Sequence, residues 1–122
     1  MQNIVPKGWG FELHIVNNNK YCGKQLTVLQ DKWCSVHYHI EKDEDFYVLD
    51  GELRLEVGKW GALTENLWYN NYETIILKKG QSYHISTKIP HRFTSNVDYP
   101  TTFIEFSTTH SDSDSYRIIK GD

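Results

Sequence analysis

Apolar and polar residues alternate along most of this chain. FELHIV (11–16), KQLTVL (24–29), CSVHYHI (34–40), DFYVL (45–49) and ELRLEV (52–57) all run at or near period two. So do ETIILKK (73–79), QSYHIS (81–86), HRFTSN (91–96), TTFIEFS (101–107) and YRIIK (116–120). That period places successive side chains on opposite faces of a strand, and no window of useful length shows a helical repeat. Turn residues separate most of the runs: Asn17-Asn18-Asn19, Gln30-Asp31, Asp50-Gly51, Lys79-Gly80 and Asp98-Tyr99-Pro100. Many short strands so punctuated predict an all-β sandwich or barrel. Asp50-Gly51, between FYVL and ELRL, reads as a tight hairpin.

Two stretches break the rhythm. GKWGALTENLWYNNY (58–72) has no clear period and reads as an irregular loop or extended hairpin tip. Its Trp60, Trp68, Tyr69 and Tyr72 either pack beneath it or present a contact surface. The tail turns polar at Thr108 and regains a strand pattern at Tyr116. Within it, Ser111-Asp112-Ser113-Asp114 is expected to be a solvated turn, since it lacks the glycine and distal glutamate of a calcium loop.

At 122 residues the chain is read as one domain, 1–122, with a single core and no internal repeat. A net charge of -3 with both signs mixed along the chain gives nucleic-acid binding no electrostatic basis. No apolar run reaches the length of a transmembrane helix, and MQNIVPKGWG lacks the basic and apolar parts of a signal peptide. The expectation is a cytoplasmic protein with no membrane association. Cys22 and Cys34 form no C-x-x-C motif and are expected as reduced thiols. Cys34 lies three residues before His37, so alternation sends it to the opposite face, as a buried thiol and not a ligand.

The chemistry concentrates in HYHIEKDEDFYVLDG (37–51). On a strand His37 and His39 share a face, Glu44 follows five residues later, and His91 stands far downstream after Pro90. Three imidazoles and a carboxylate suit a divalent transition metal of the zinc, manganese, iron or nickel type. His14, His84 and His110 lack partners at ligand spacing and are expected in solvent or in local hydrogen bonds. Glu105, between Ile104 and Phe106, faces either the lumen of a barrel or solvent. In the lumen it would suit a general base, tuned by burial and by nearby cations.

These residues resemble the first motif of the cupin superfamily: His37, His39, four residues, Glu44, six residues, Gly51. The glycine that leads the motif is absent, with Asp31 and Lys32 near its place. The second motif is present in degraded form. Gly80 and His91 are in register, Ser86 stands for proline, Lys88 stands for glycine, and the asparagine is displaced by one position to Asn96. The resemblance implies a double-stranded β-helix, the jelly-roll barrel, with His37, His39, Glu44 and His91 as metal ligands and an open coordination position for catalysis.

Within that superfamily the chain is similar to small cupins related to type II mannose-6-phosphate isomerase. Gly8-Trp9-Gly10, YCGKQLTVL (21–29), Pro90-His91-Arg92 and the ending IEFST with its acids and Tyr116-Arg117 carry the likeness. It implies Lys24 as a pocket residue and a small-molecule substrate, a sugar or sugar phosphate, with aldose–ketose isomerisation as the reaction. An iron-dependent dioxygenase would use the same ligands, and a non-catalytic binding module or storage barrel is the bland alternative. An N-terminal strand and an aromatic hairpin that would otherwise stay uncovered lead to the expectation of a homodimer.

Overall fold

All the alternating segments become strands, and their inward positions build one lumen. The computed structural model describes residues 3–122. Its strands are β1 (Asn3–Lys7), β2 (Gly10–Asn17), β3 (Cys22–Val28), β4 (Val36–Tyr38), β5 (Glu44–Asp50) and β6 (Glu52–Gly58). They continue with β7 (Tyr72–Lys78), β8 (Ser82–Ile85), β9 (His91–Ser95), β10 (Thr101–Ser107) and β11 (Tyr116–Ile119). One sheet has the order β1-β2-β3-β10-β5-β8 and the other β11-β4-β9-β6-β7. All neighbours pair antiparallel, and the two sheets close into the jelly-roll barrel expected from the sequence.

Leu26, Val28, Phe46, Val48, Leu55, Phe93 and Phe103 from both sheets meet in the core. Phe46, Phe93 and Phe103 pack edge to face with centroids 5.0 to 6.0 Å apart, and Trp9 adds its edge to Phe93 at 5.1 Å. Each such ring stabilises the fold by roughly 1.5–3 kcal/mol through burial. This packing fills one end of the barrel. The other end stays open and polar.

Four local expectations are corrected. Asp50-Gly51 is not a hairpin: β5 and β6 lie in different sheets, and the turn is a corner between them. Gly51 has φ +89°, and a Cβ there would run into Thr101. Alternation describes faces and does not say which sheet a strand joins. In the stretch 58–72 a short helix, α1 (Glu65–Asn70), starts where the Thr64 side chain accepts the Leu67 N–H. Trp68 is fully buried under it while Trp60 stays exposed. Six residues are too few for a helical period to show.

Next, β1 adds an edge strand that the alternation did not mark, with Pro6 opposite Phe11; proline is tolerated at an edge because no outer neighbour needs its N–H. Finally, residues 32–35 lie outside any strand, so the parity argument for Cys34 does not apply. Cys34 lines the same cavity as His37. It is nonetheless a free, buried thiol.

Asp31 and Lys88 are the only non-glycine residues at positive φ among the described residues, at +62° and +66°. They stand at or beside the two positions where the cupin motifs carry glycine. No described helix is long and apolar enough to cross a membrane.

Candidate metal centre

β4 and β9 pair at one position, His37 opposite His91, which puts these two imidazoles side by side from residues far apart in sequence. His39 lies just past the end of β4, and Glu44 opens β5 in the facing sheet. Each imidazole donates its Nδ1 proton to a backbone carbonyl: His37 to Ser35 at 2.8 Å, His39 to Asp114 at 2.7 Å, and His91 to Ile89 at 2.9 Å. A carbonyl can only accept, so Nδ1 carries the hydrogen and Nε2 is left with a bare lone pair. Ligand atoms of the three histidines lie within 4.8 Å of one another. Outer hydrogen bonds of this kind fix the tautomer and orientation of metal-binding histidines.

Glu44 closes the set. Its Oε2 is 3.4 Å from His39 Nε2, and its Oε1 is 3.6 Å from His91 Nε2. These separations are too long for good hydrogen bonds, and with Nε2 unprotonated both facing atoms are acceptors, so only a cation between them would make the contacts favourable. Glu44 Oε2 and His91 Nε2 are buried with no hydrogen-bond partner. Leaving such groups unsatisfied costs on the order of 1–3 kcal/mol each, and a divalent cation would satisfy both. Burial pushes His37 well below the usual imidazole range and His39 down to about 4. Both are therefore neutral at pH 7, as a metal ligand must be. Burial alone would raise the Glu44 carboxyl, but His91, Lys42 and His39 outweigh it and hold it below the usual range. The donor set fits a transition metal.

Behind the ligands stands a residue that sequence reasoning placed elsewhere. Asp114 ends a 3-10 turn (Asp112–Asp114) and is buried, so the expected solvated turn is corrected at this residue. Its carboxylate accepts the backbone N–H groups of Ile40, Glu41 and Lys42 at 2.9 to 3.2 Å, while its carbonyl takes His39 Nδ1. From the other side, the Lys88 N–H donates to the His39 carbonyl at 2.6 Å. The loop between His39 and Glu44 is thus held at both ends.

That loop delivers Lys42, which the sequence reading did not single out. Its side chain is 3% exposed. Its Nζ lies 3.0 Å from Glu105 Oε2, 3.5 Å from Glu44 Oε2 and 3.2 Å from His110 Nδ1. Burial opposes its charge, but the Glu105 and Glu44 carboxylates prevail and raise its pKa. Glu105 is buried and lines the cavity, on the lumen side of the two placements left open by the sequence. Lys24 sits opposite Glu105 in register, is buried, and lies 3.6 Å from Glu12. His14 donates to Glu12 at 2.7 Å, and His110 bonds Asp112 at 2.9 Å, so both make local contacts at the cavity. His84 lies exposed between Asp43 and Asp45, away from it.

The cavity holds about 590 Å³. Leu26, Phe46, Phe93 and Trp9 form its apolar wall. Cys34 belongs to that wall; its Sγ accepts the Phe93 N–H, and burial pushes the thiol up to about 12. Arg92, beside His91, donates from Nε to Glu56 at 2.8 Å and lies over the Trp33 ring at 4.4 Å. That contact stabilises the strand that carries His91.

Residues 26–107 match the family model described as a cupin domain. No curated protein matches the chain significantly. Among solved structures, the capsular polysaccharide assembling protein CapF from Staphylococcus aureus aligns with a TM-score of 0.77 at 15% identity, over 98% of this chain and 34% of CapF. Oxalate decarboxylase from Lactobacillus farciminis, as its formate complex, gives 0.75 at 12% identity, over 96% of this chain and 34% of that one. Bacillus subtilis oxalate decarboxylase, described with Mn(II) centres, gives 0.76 at 15% identity, over 96% and 30%. This chain spans about a third of the length of these proteins, and at such identities the likeness is one of fold.

Proposed function

The chain belongs to the cupin family, and from that membership together with the site's own geometry we propose a metal-dependent cupin that takes a small, oxygen-rich ligand of the sugar class and moves a proton between adjacent carbons, as an aldose–ketose isomerase does. His37, His39, His91 and Glu44 would hold a zinc, manganese, iron or nickel ion, which when bound supplies Lewis acidity toward neighbouring oxygens of the ligand. The observation that carries the reading is Glu105. Lys42 and the Ser107 hydroxyl both donate to its Oε2, so among the described residues Oε1 has no protein donor, and it is the oxygen that would accept and return a proton. The Lys42 ammonium stabilises negative charge there, and the wall of Leu26, Phe46 and Phe93 limits water access. Lys24, buried opposite Glu105 and 3.6 Å from Glu12, would bind an oxygen of the ligand.

The test is elemental analysis of protein purified without chelator or affinity tag, followed by a panel of aldoses, ketoses and sugar phosphates. Glu105→Gln should keep the metal and lose turnover, while His91→Ala should lose both. A protein that takes up no metal, or a loaded one that ignores the panel and consumes dioxygen, would overturn the reading. A homodimer is also proposed. Ile4, Phe11, Ile15, Tyr47, Leu49 and Phe106 are exposed, and all stand on the outer face of the six-stranded sheet.

A further inference from the structure

One histidine at the cavity is wired differently from the three that converge on the metal centre. His37, His39 and His91 each give the Nδ1 hydrogen to a carbonyl and keep a bare Nε2. His110 has the reverse arrangement. Its Nδ1 lies 3.2 Å from Lys42 Nζ, and its Nε2 lies 2.9 Å from Asp112 Oδ1. An ammonium can only donate and a carboxylate can only accept, so Nδ1 must be bare and Nε2 must carry the hydrogen. Of the three protonation states open to an imidazole, one satisfies both neighbours. The doubly protonated ring would set an N–H against the ammonium.

The backbone of His110 is fixed independently of its ring. Its N–H donates to Asn17 Oδ1 and its carbonyl accepts from Asn17 Nδ2, both at 3.0 Å. The neighbouring Thr109 hydroxyl donates to the Asn18 carbonyl at 2.7 Å. The end of β2 and the turn after it therefore pin this point of the C-terminal segment. A changed side chain at 110 leaves those bonds in place.

The ring matters because of what Lys42 does. Its ammonium has two acceptors within hydrogen-bonding distance, Glu105 Oε2 at 3.0 Å and His110 Nδ1 at 3.2 Å, and Glu44 Oε2 at a longer 3.5 Å. The side chain is buried, so water does not freely replace a lost acceptor. The charged groups that face the His110 ring are Lys42 from the loop before β5, Lys24 from β3, Glu105 from β10 and Asp112 from its own segment. Glu12 and His14 of β2 line the same cavity and bond each other. Burial, with the two lysines behind it, outweighs the carboxylates and holds His110 below the usual imidazole range. The ring is thus neutral at pH 7 and takes a second proton only in acid.

We propose that His110 is a positioning residue: as a neutral imidazole it holds the Lys42 ammonium against Glu105, and its protonation releases that hold. The effect on turnover rests on the reading of Glu105 as proton acceptor. The effect on Lys42 does not.

The test uses zinc-loaded full-length protein labelled with nitrogen-15 in histidine and lysine. Long-range proton–nitrogen spectra tell a bare ring nitrogen from a protonated one, and His110→Asn identifies the His110 signals. Wild type should show a bare Nδ1 and a protonated Nε2 at pH 7, with a titration midpoint that rises in Lys42→Met. Hydrogen exchange at the Lys42 ammonium, taken relative to free lysine at the same pH, should be at least about tenfold faster in His110→Leu. Wild type should lose the same protection as His110 titrates. His110→Asn supplies an acceptor oxygen near the place of Nδ1 and does not titrate, so it should keep the protection at both pH values. An Nδ1–H ring, a midpoint indifferent to Lys42→Met, or equal Lys42 protection in all variants would overturn the inference. On the sugar panel, kcat should fall at least about tenfold in His110→Leu and be rescued in His110→Asn, with KM little changed. Lys42 protection that follows this pattern in a protein without turnover would leave the inference standing and sink the reading of Glu105.

Discussion

The carbonyl of Asp114 accepts the Nδ1 proton of His39 at 2.7 Å, while the carboxylate of the same residue holds the N–H groups of the loop that follows His39. One residue from the C-terminal segment therefore orients a metal ligand and fixes the loop that brings Lys42 inward. Asp114→Ala would leave buried backbone donors without an acceptor. Hydrogen bonds to a charged group are worth about 1.5–3 kcal/mol each, so a loss of roughly 2–4 kcal/mol is expected, shared among the donors. The carbonyl that takes His39 Nδ1 is backbone and survives the substitution, so metal affinity should fall only through the loosened loop after His39, by up to about tenfold. Asp114→Asn, which keeps one acceptor oxygen, should do less harm to both. Chemical denaturation and metal titration measure the two effects; unchanged metal affinity in the alanine variant would remove Asp114 from the site.

Among the histidines, metal content should depend only on the three that converge. His37→Ala or His39→Ala leaves an incomplete donor set, and bound metal should drop at least tenfold at equal loading. His14→Ala is the control. Its imidazole serves Glu12 at the mouth, so metal content should match wild type. Parallel losses in all three variants would point to misfolding and not to ligation.

How much of this was readable beforehand depends on which residues touch through space. Alternation marked ten of the strands, and the pairing of β4 with β9 sets His37 opposite His91. Lys42 was passed over because a lysine among charged neighbours in IEKDED looks solvated; only closure of the barrel puts Glu105 and Glu44 beside it. Asp114 looked like a turn residue for the same reason. Its partners at Ile40, Glu41 and Lys42 are more than 70 positions away, and one-dimensional pattern carries no trace of that contact. Gly51 misled in the opposite sense, since a tight hairpin and a corner between sheets use the same turn chemistry.

Acid should destabilise the metal-free barrel in a defined window. His39 sits at about 4 when folded against an ordinary 6.5. Between those values the unfolded chain takes up a proton there and the folded chain does not, so stability falls as pH drops through the window. At about 1.4 kcal/mol per pH unit, His39 alone accounts for on the order of 3 kcal/mol, and the lowered His37 acts in the same direction. Glu44 is depressed, so its contribution is fully present above about 4.5 and is lost only at lower pH. Lys42 is raised, so its contribution stays constant across the window. Melting temperatures of chelator-treated protein at pH 7 and pH 4.5 should differ clearly, and His39→Gln should narrow the gap. A flat profile in wild type would contradict the assignment.

Lys88 pays for its position with backbone strain. At φ +66° it occupies a region that costs a side-chain-bearing residue about 1–2 kcal/mol, while its exposed side chain has little packing to lose. Lys88→Gly keeps the N–H that bonds the His39 carbonyl and relieves the strain, at a loss of roughly 0.5–1 kcal/mol in chain entropy. A net gain of up to about 1 kcal/mol is expected, with metal affinity unchanged. Asp31→Gly at φ +62° should gain less, because aspartate tolerates this region better than lysine. Differential scanning calorimetry ranks the two; a lower melting temperature for Lys88→Gly would show that the lysine side chain contributes something the contacts do not reveal.

Association should proceed through the outer face of the six-stranded sheet. Its adjacent strands β2, β3 and β10 present Phe11, Leu13, Ile15, Gln25, Thr27, Thr102, Ile104 and Phe106 outward, none of them charged. Two copies of such a face can meet about a twofold axis without like-charge repulsion. Ile4, Phe11, Ile15, Tyr47, Leu49 and Phe106 are each 38% to 58% exposed. At roughly 200 Å² apiece for large side chains they offer on the order of 600 Å². With the intervening polar positions that approaches the roughly 800 Å² per partner of a stable interface. Light scattering should therefore give a dimer mass at micromolar concentration. Ile15→Glu with Phe106→Glu should give a folded monomer that still binds metal, because both side chains point away from the lumen. A wild-type monomer across a wide concentration range would refute this interface, and a dimer that survives both substitutions would place the contact elsewhere.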